Sequence, residues 1–126
     1  RSPFYSVNFD YISIPKIDSF VSAEEYYSTL FHELAHSTGH EKRLNRQELT
    51  KIAAFGSHDY SKEELIAEMC SAYLCADSGI SMPVIDNQAA YIAAWLSKLK
   101  NDRKFLVTAA SKAEKAFSYI KGKTNA

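Results

Sequence analysis

The chain has 126 residues, 46% of them hydrophobic and 24% charged. That is the composition of an ordinary soluble globular protein with enough length to bury the core of one small domain. With only 4 Gly and 3 Pro a turn-rich all-β fold is disfavoured and helices are expected, and no signal peptide or membrane-spanning stretch is present. Lys and Arg balance Asp and Glu at 15 each, but unevenly: residues 1–95 hold 7 basic and 13 acidic side chains, and residues 96–126 hold 8 basic and 2 acidic ones. This basic C-terminal stretch reads first as a solvated helix face and second as a contact for nucleic acid or an acidic partner.

In chain order, residues 4–14 are rich in aromatic and β-branched residues, with Asn8 and Asp10 available for a turn. They predict one or two short strands ending before Pro15. A single hairpin is not stable alone and must lie on helices. Ser22 followed by Glu25 forms a capping box, with Val21 against Tyr26 as its hydrophobic staple. The helix it opens is expected to run to about Thr38 and stop at Gly39. A short helix over Arg46–Ala54, capped by Asn45, is expected next, then a loop around Gly56. Ser61 with Glu64 forms a second capping box, for a helix to about Ser78 that Gly79 ends. Ser81–Ile85, containing Pro83, reads as a linker. Asp86 is expected to cap a third main helix to about Lys100. Asp102 is expected to cap a fourth, whose apolar residues from Phe105 to Ile120 recur at helical spacing and which Gly122 ends.

Cys70 and Cys75, five residues apart on the second long helix, point in different directions and are not expected to pair. Two buried thiols and no CxxC predict a reducing, cytoplasmic setting. The sequence opens on Arg, not Met, so it is expected to be a domain of a longer protein.

His32-Glu33-Leu34-Ala35-His36 is an HExxH sequence inside the first long helix. Imidazoles four residues apart lie one turn apart on one face, so both can reach a single Zn²⁺ at about 2.0–2.1 Å. The intervening Glu33 is offset around the helix and suits a general base, because zinc lowers the pKa of its water toward about 7 and a nearby carboxylate can take the proton. A catalytic zinc needs a third protein ligand. The metzincin pattern would place a His at position 42, which is Lys42. The gluzincin pattern takes a Glu from a following helix, and Glu64, with Ala67 and Glu68 after it, resembles that pattern. Glu68 and Glu63 are the alternatives, since Glu64 is also the capping-box partner of Ser61. With Glu64 as ligand, Glu68 one turn on is placed to fix the tautomer of a zinc histidine. His40 and His58 read as non-ligands. Tyr60, just ahead of the ligand helix, is the candidate oxyanion donor, with Tyr73 behind it.

Beyond the motif, YYSTLFHELAHSTGHEKRL, FGSHDYSKEELIAEMCSAYLCADSGI and AAYIAAWLSKLKNDRKFLVTAASKAEKAFSYI together resemble the C-terminal domain of ArdC-type antirestriction proteins. This is the polyvalent-protein metallopeptidase domain, a zincin-like family. The similarity runs from about Asp10 to Ile120. It implies an α+β, mainly α fold: a short N-terminal β-hairpin or strand on an HExxH helix, a ligand-bearing second helix and two C-terminal helices. It also implies zinc at His32, His36 and Glu64 and a place in proteins of plasmids, conjugative elements and phages that protect incoming DNA from host restriction. In the family such domains follow an N-terminal domain that binds single-stranded DNA, which is not found within this sequence. The expected activity is hydrolysis of a peptide or protein substrate paired along the strand near Asp10–Ile14. The alternative is a non-proteolytic DNA- or protein-binding module that retains a metal site.

Overall fold

The structure, a computed structural model, describes residues 2–55, 60–80, 82–100 and 102–122. Strands β1 (Phe4–Ser6) and β2 (Tyr11–Ser13) form an antiparallel hairpin with Phe4 opposite Ser13 and Ser6 opposite Tyr11. Asp10 makes the turn with a φ of 56°, a left-handed conformation that Asp tolerates better than most residues. After a 3₁₀ turn at Ile17–Ser19 come five helices: α1 (Ala23–Ser37), α2 (Gln47–Phe55), α3 (Ser61–Asp77), α4 (Met82–Lys98) and α5 (Arg103–Ile120). None of the described helices is long and apolar enough to cross a membrane.

The helix ends follow local chemistry. Ser22 caps α1, its hydroxyl accepting from the Glu25 N–H at 3.1 Å. Asp102 caps α5 by accepting from the Phe105 N–H at 3.0 Å. Gly79 ends α3 at a φ of 73°, letting the Ile80 N–H turn back to the Cys75 carbonyl at 2.9 Å. Four expectations need correction. Val21 is 99% exposed, so it staples nothing; Phe20 packs edge-on against Tyr26 instead, ring centres 5.3 Å apart. Asn45 takes a left-handed φ of 50°, and it is the Arg46 carbonyl that receives the first N–H groups of α2, from Leu49 and Thr50. Ser61 is already the first residue of α3, and Tyr60 holds the cap position. Finally, α4 starts at Met82, not Asp86, with Pro83 inside its first turn, where a missing N–H costs nothing.

Helix α3 is the axis of the fold. Leu65, Ile66, Ala67, Cys70, Leu74 and Cys75 are all buried, so it is apolar nearly all round, as a helix packed on several sides must be. α1, α4 and α5 each pack against it. Ala35 of α1 and Ala109, Ala113 and Ala116 of α5 are fully buried there, and these small side chains let the backbones approach closely. Burying Leu65 and Ile66 contributes roughly 1.5–3 kcal/mol each. Both cysteines are buried and unpaired, as their spacing predicts. The packing sets the N-terminal end of α3, which carries Glu63, Glu64 and Glu68, across the middle of α1.

Candidate metal centre

The two histidines of α1 and one glutamate of α3 converge. His32 Nε2 lies 2.9 Å from Glu64 Oε2. His36 Nε2 lies 3.1 Å from the same oxygen and 3.1 Å from His32 Nε2. The rings meet edge to face, centres 4.7 Å apart. Glu64 is therefore turned toward the histidines, although its sequence position equally suited a capping box.

The opposite ring nitrogens face carboxylates. His36 Nδ1 is 2.7 Å from Glu63 Oε2, and since an ionised carboxylate only accepts, this nitrogen carries the proton. His32 Nδ1 is 3.0 Å from Glu68 Oε1; the two are close enough for an ion pair but not aligned as a hydrogen bond. With the proton of each neutral ring on Nδ1, loss of the second proton would turn two Nε2 lone pairs and a carboxylate oxygen toward one point. Three acceptors do not gather without a cation or protons between them. A tetrahedral zinc site with bonds of about 2.0–2.1 Å spaces its ligands roughly 3.3 Å apart. The observed 2.9–3.1 Å needs an opening of only a few tenths of an ångström. The donor set fits a divalent cation.

Charge follows the same geometry. Burial works against a charged His32 ring, yet the Glu64 and Glu68 carboxylates push its pKa up to about 10. Burial likewise opposes charge on His36, and Glu63 and Glu64 push it up to about 9. Burial favours a protonated Glu64, but hydrogen bonds from both rings hold its carboxyl well below the usual range. In Glu33 burial wins and raises the carboxyl above its ordinary value, with the two rings pulling the other way.

Glu33 is 8% exposed and sits between two hollows. One, of about 300 Å³, is lined mainly by apolar side chains (Phe4, Val7, Leu49 and Ile52 among them) beside Glu33, His36, Glu64 and Tyr60. The other, of about 240 Å³, is polar, with Glu25, Ser28, Glu68 and Ser71 beside His32 and Glu33. The hairpin flanks this cleft by β1, whose Phe4 and Tyr5 line it. β2, the strand expected to face a substrate, does not line either hollow. The Tyr5 backbone, beside the Glu33 carboxylate, favours its charged form. The Tyr5 hydroxyl donates to Asp10 at 2.6 Å, and Arg43 ties both to the end of α1 through the Ser37 carbonyl at 2.7 Å.

Residues 1–112 match the family of zincin-like metallopeptidases. The chain belongs to that family. It is 38% identical over 117 residues to the uncharacterized protein y4eC of Sinorhizobium fredii (strain NBRC 101917 / NGR234), covering 93% of this chain and 37% of y4eC. It is 39% identical over 117 residues to the DNA primase TraC of Escherichia coli, covering 93% of this chain and 11% of TraC. Among solved structures, the antirestriction protein ArdC from plasmid R388 matches in a Mn(II)-bound form with TM-score 0.75 and 39% identity, over 96% of this chain and 44% of ArdC. Its metal-free form matches with TM-score 0.71 and 40% identity, over 95% of this chain and 42% of ArdC. The chain thus spans less than half the length of each of these relatives.

Of the residues singled out in the sequence, His32, His36, Glu64, Glu33 and Glu68 are brought together. Tyr60 lines the apolar hollow and is 51% exposed. Tyr73 packs edge-on against Phe117, ring centres 6.3 Å apart, and serves the core. His40 is 8% exposed with Nδ1 accepting from the Lys42 N–H at 3.1 Å, a loop-stapling role. His58 lies outside the described residues. Sequence reasoning missed Arg46, which is 5% exposed and grips Glu63 through two hydrogen bonds of 2.8 and 2.7 Å. It also cast Glu63 only as a ligand, where the structure sets it behind His36. A lone arginine at the start of a short expected helix has no periodic signature that would reveal its burial.

Proposed function

We propose that this chain is a metal-dependent peptidase domain of a longer antirestriction-type protein, with His32, His36 and Glu64 holding Zn²⁺ and Glu33 as general base. The observation that carries the reading is the convergence of three acceptor atoms within 3.1 Å of one another, with carboxylates behind both rings. A divalent cation held there would supply the Lewis acidity that polarises a peptide carbonyl and makes water acidic.

The chain's own residues then divide the rest. Glu33, raised by burial, accepts a proton from the attacking water and returns it to the leaving amine. Tyr60, at the open edge of the apolar hollow, would donate to the developing oxyanion. A peptide or protein substrate would lie across Glu33, one flank in the apolar hollow and the other in the polar one.

The mobile-element setting rests on the likeness to ArdC. A DNA-contact role for the basic C-terminal helix is the weaker reading. Lys112 and Lys121 are already paired with Glu48 and Asp77, and Lys98 lies over the Trp95 ring.

The test is metal content and cleavage of an unfolded protein by wild type and Glu33→Gln. The variant is expected to keep its metal and lose roughly 10²–10⁴-fold in rate. Equal cleavage by both proteins removes Glu33 from the reaction, and a wild type that takes up no metal ends the reading.

A further inference from the structure

Arg46 and Glu63 form an ion pair that the proposed reaction does not use. Arg46 is 5% and Glu63 2% exposed. Every polar atom of the pair has a partner. Arg46 Nε donates to Glu63 Oε1 at 2.8 Å and Nη2 to Oε2 at 2.7 Å. Nη2 also donates to the Ala35 carbonyl and Nη1 to the Thr38 hydroxyl, both at 3.0 Å. Glu63 Oε2 is shared with His36 Nδ1. The guanidinium therefore locks one carboxylate to the last turn of α1, and that carboxylate holds one ring of the candidate metal centre.

Gly39 makes room for this. A Cβ there would sit 2.8 Å from Arg46 Nη2 and 2.9 Å from Cζ, and no left-handed φ is recorded at this position. The glycine three residues past His36 thus answers first to the passage of the guanidinium, with Leu49 Cδ2 next at 3.0 Å, and not to a backbone conformation. The Arg46 N–H is itself bonded to the Gly39 carbonyl at 2.9 Å, which fixes where the side chain starts. A lysine cannot reproduce the arrangement, since one ammonium cannot grip both carboxylate oxygens in a plane and also reach Ala35 and Thr38.

A buried ion pair is seldom a net stabiliser compared with apolar residues of the same volume. Its value here lies in what it orients. We propose that Arg46 is a positioning residue of the metal centre, clamping Glu63 so that Glu63 fixes the ring plane and the proton-bearing nitrogen of His36, with Gly39 as the space that permits it. This rests on the reading of His32, His36 and Glu64 as the metal-holding set. Carboxylates behind metal-bound histidines typically change metal affinity by roughly 10–100-fold when lost, and the clamp should share in that effect.

The test compares wild type, Arg46→Gln, Arg46→Lys and Gly39→Ala. Zn²⁺ affinity is measured by titration against a chelator of known strength, metal-free Tm by circular dichroism, and the His36 ring by ¹⁵N-detected NMR. Both Arg46 variants are expected to bind Zn²⁺ roughly 10–100-fold more weakly, with the Nδ1–H signal of His36 shifted and exchange-broadened. Gly39→Ala keeps every charge and should show a smaller loss in the same direction. If Arg46→Gln does not fold, Arg46→Lys and Gly39→Ala decide the matter. A wild type that binds no Zn²⁺ overturns the metal centre and this role together. Wild-type binding with unchanged affinity in folded Arg46→Lys and Gly39→Ala, whatever their Tm, overturns the role of Arg46 alone.

Discussion

Metal binding at this centre should be a competition with protons. In the metal-free protein His32 and His36 titrate near 10 and 9, far above an ordinary histidine near 6.5, so at neutral pH both rings are protonated. Glu64 is already ionised and contributes no proton. A divalent cation taking both Nε2 lone pairs must therefore expel between one and two protons, and apparent affinity should rise about 10- to 100-fold per pH unit between pH 6 and 8. The sign for stability is opposite in the two states. A raised histidine pKa stabilises the metal-free fold fully below about 6.5, and this contribution fades as pH climbs and is lost through about 9 to 10. Glu64, held below its ordinary value, contributes above about 4.5 and loses that contribution as pH falls through its folded pKa. Metal-free Tm should thus decline from pH 7 to 9 while the gain from added metal grows. At a free Zn²⁺ concentration of 100 times Kd the gain is about 2.7 kcal/mol. For 126 residues at about 2.1 cal/mol/K each, that is a Tm rise of about 10 °C. Calorimetric titration in two buffers of different ionisation enthalpy counts the protons directly. A value near zero, or an affinity flat across pH 6 to 8, would refute the convergence of lone pairs on one cation.

Three other expectations concern the scaffold. Ser22→Ala removes the acceptor for the Glu25 N–H and should cost about 1 kcal/mol, read by chemical denaturation, with no change in metal affinity. Ala113→Leu forces a side chain into the fully buried contact of α5 with α3 and should destabilise by about 1–3 kcal/mol, whereas Glu114→Ala beside it, on an exposed position, should stay within about 0.5 kcal/mol. Burial pushes the Cys70 thiol up to about 12, and neither cysteine is accessible. Iodoacetamide at pH 8 should label neither thiol in the native protein and both after unfolding, and rapid native labelling would place α3 nearer the surface than described.

What the sequence made legible was whatever depends on spacing within a few residues. The two histidines share a face because they are four apart, Ser22 and Asp102 mark helix starts by their side-chain acceptors, and Gly79 and Gly122 mark helix ends by their positive φ. The failures share a different cause. Val21 and Phe20 both precede the cap of α1, and only the course of the incoming chain decides which one meets Tyr26. Asp86 is a plausible cap, but Pro83 is better placed in a first turn than in a linker, and Val84 is 4% exposed, so burial pulls the start of α4 back to Met82. Ser61 with Glu64 satisfied a local rule that a long-range one outweighed: two imidazoles from α1, 32 and 28 residues away, took the side chain that the cap would have used. Glu63 and Arg46 were illegible for the same reason, because their pairing spans a loop and a helix start and exists only once α1 and α3 cross.

The crossing also explains how so many acids tolerate one another. Glu33, Glu63, Glu64 and Glu68 surround the rings of His32 and His36, with Arg46 as the single fixed cation of the cluster. With both rings protonated the pair of imidazoles carries two positive charges. With both rings neutral and a divalent cation in their midst it carries the same. Exchanging two protons for a metal therefore leaves the local charge unaltered, and the surrounding packing has no electrostatic reason to rearrange. Removing the charge of Arg46 leaves Glu63 buried without its cation in both states at once. Its loss should therefore weaken the metal-free fold and the metal-loaded one together, while neutralising Glu33, whose charge burial already disfavours, should leave both standing.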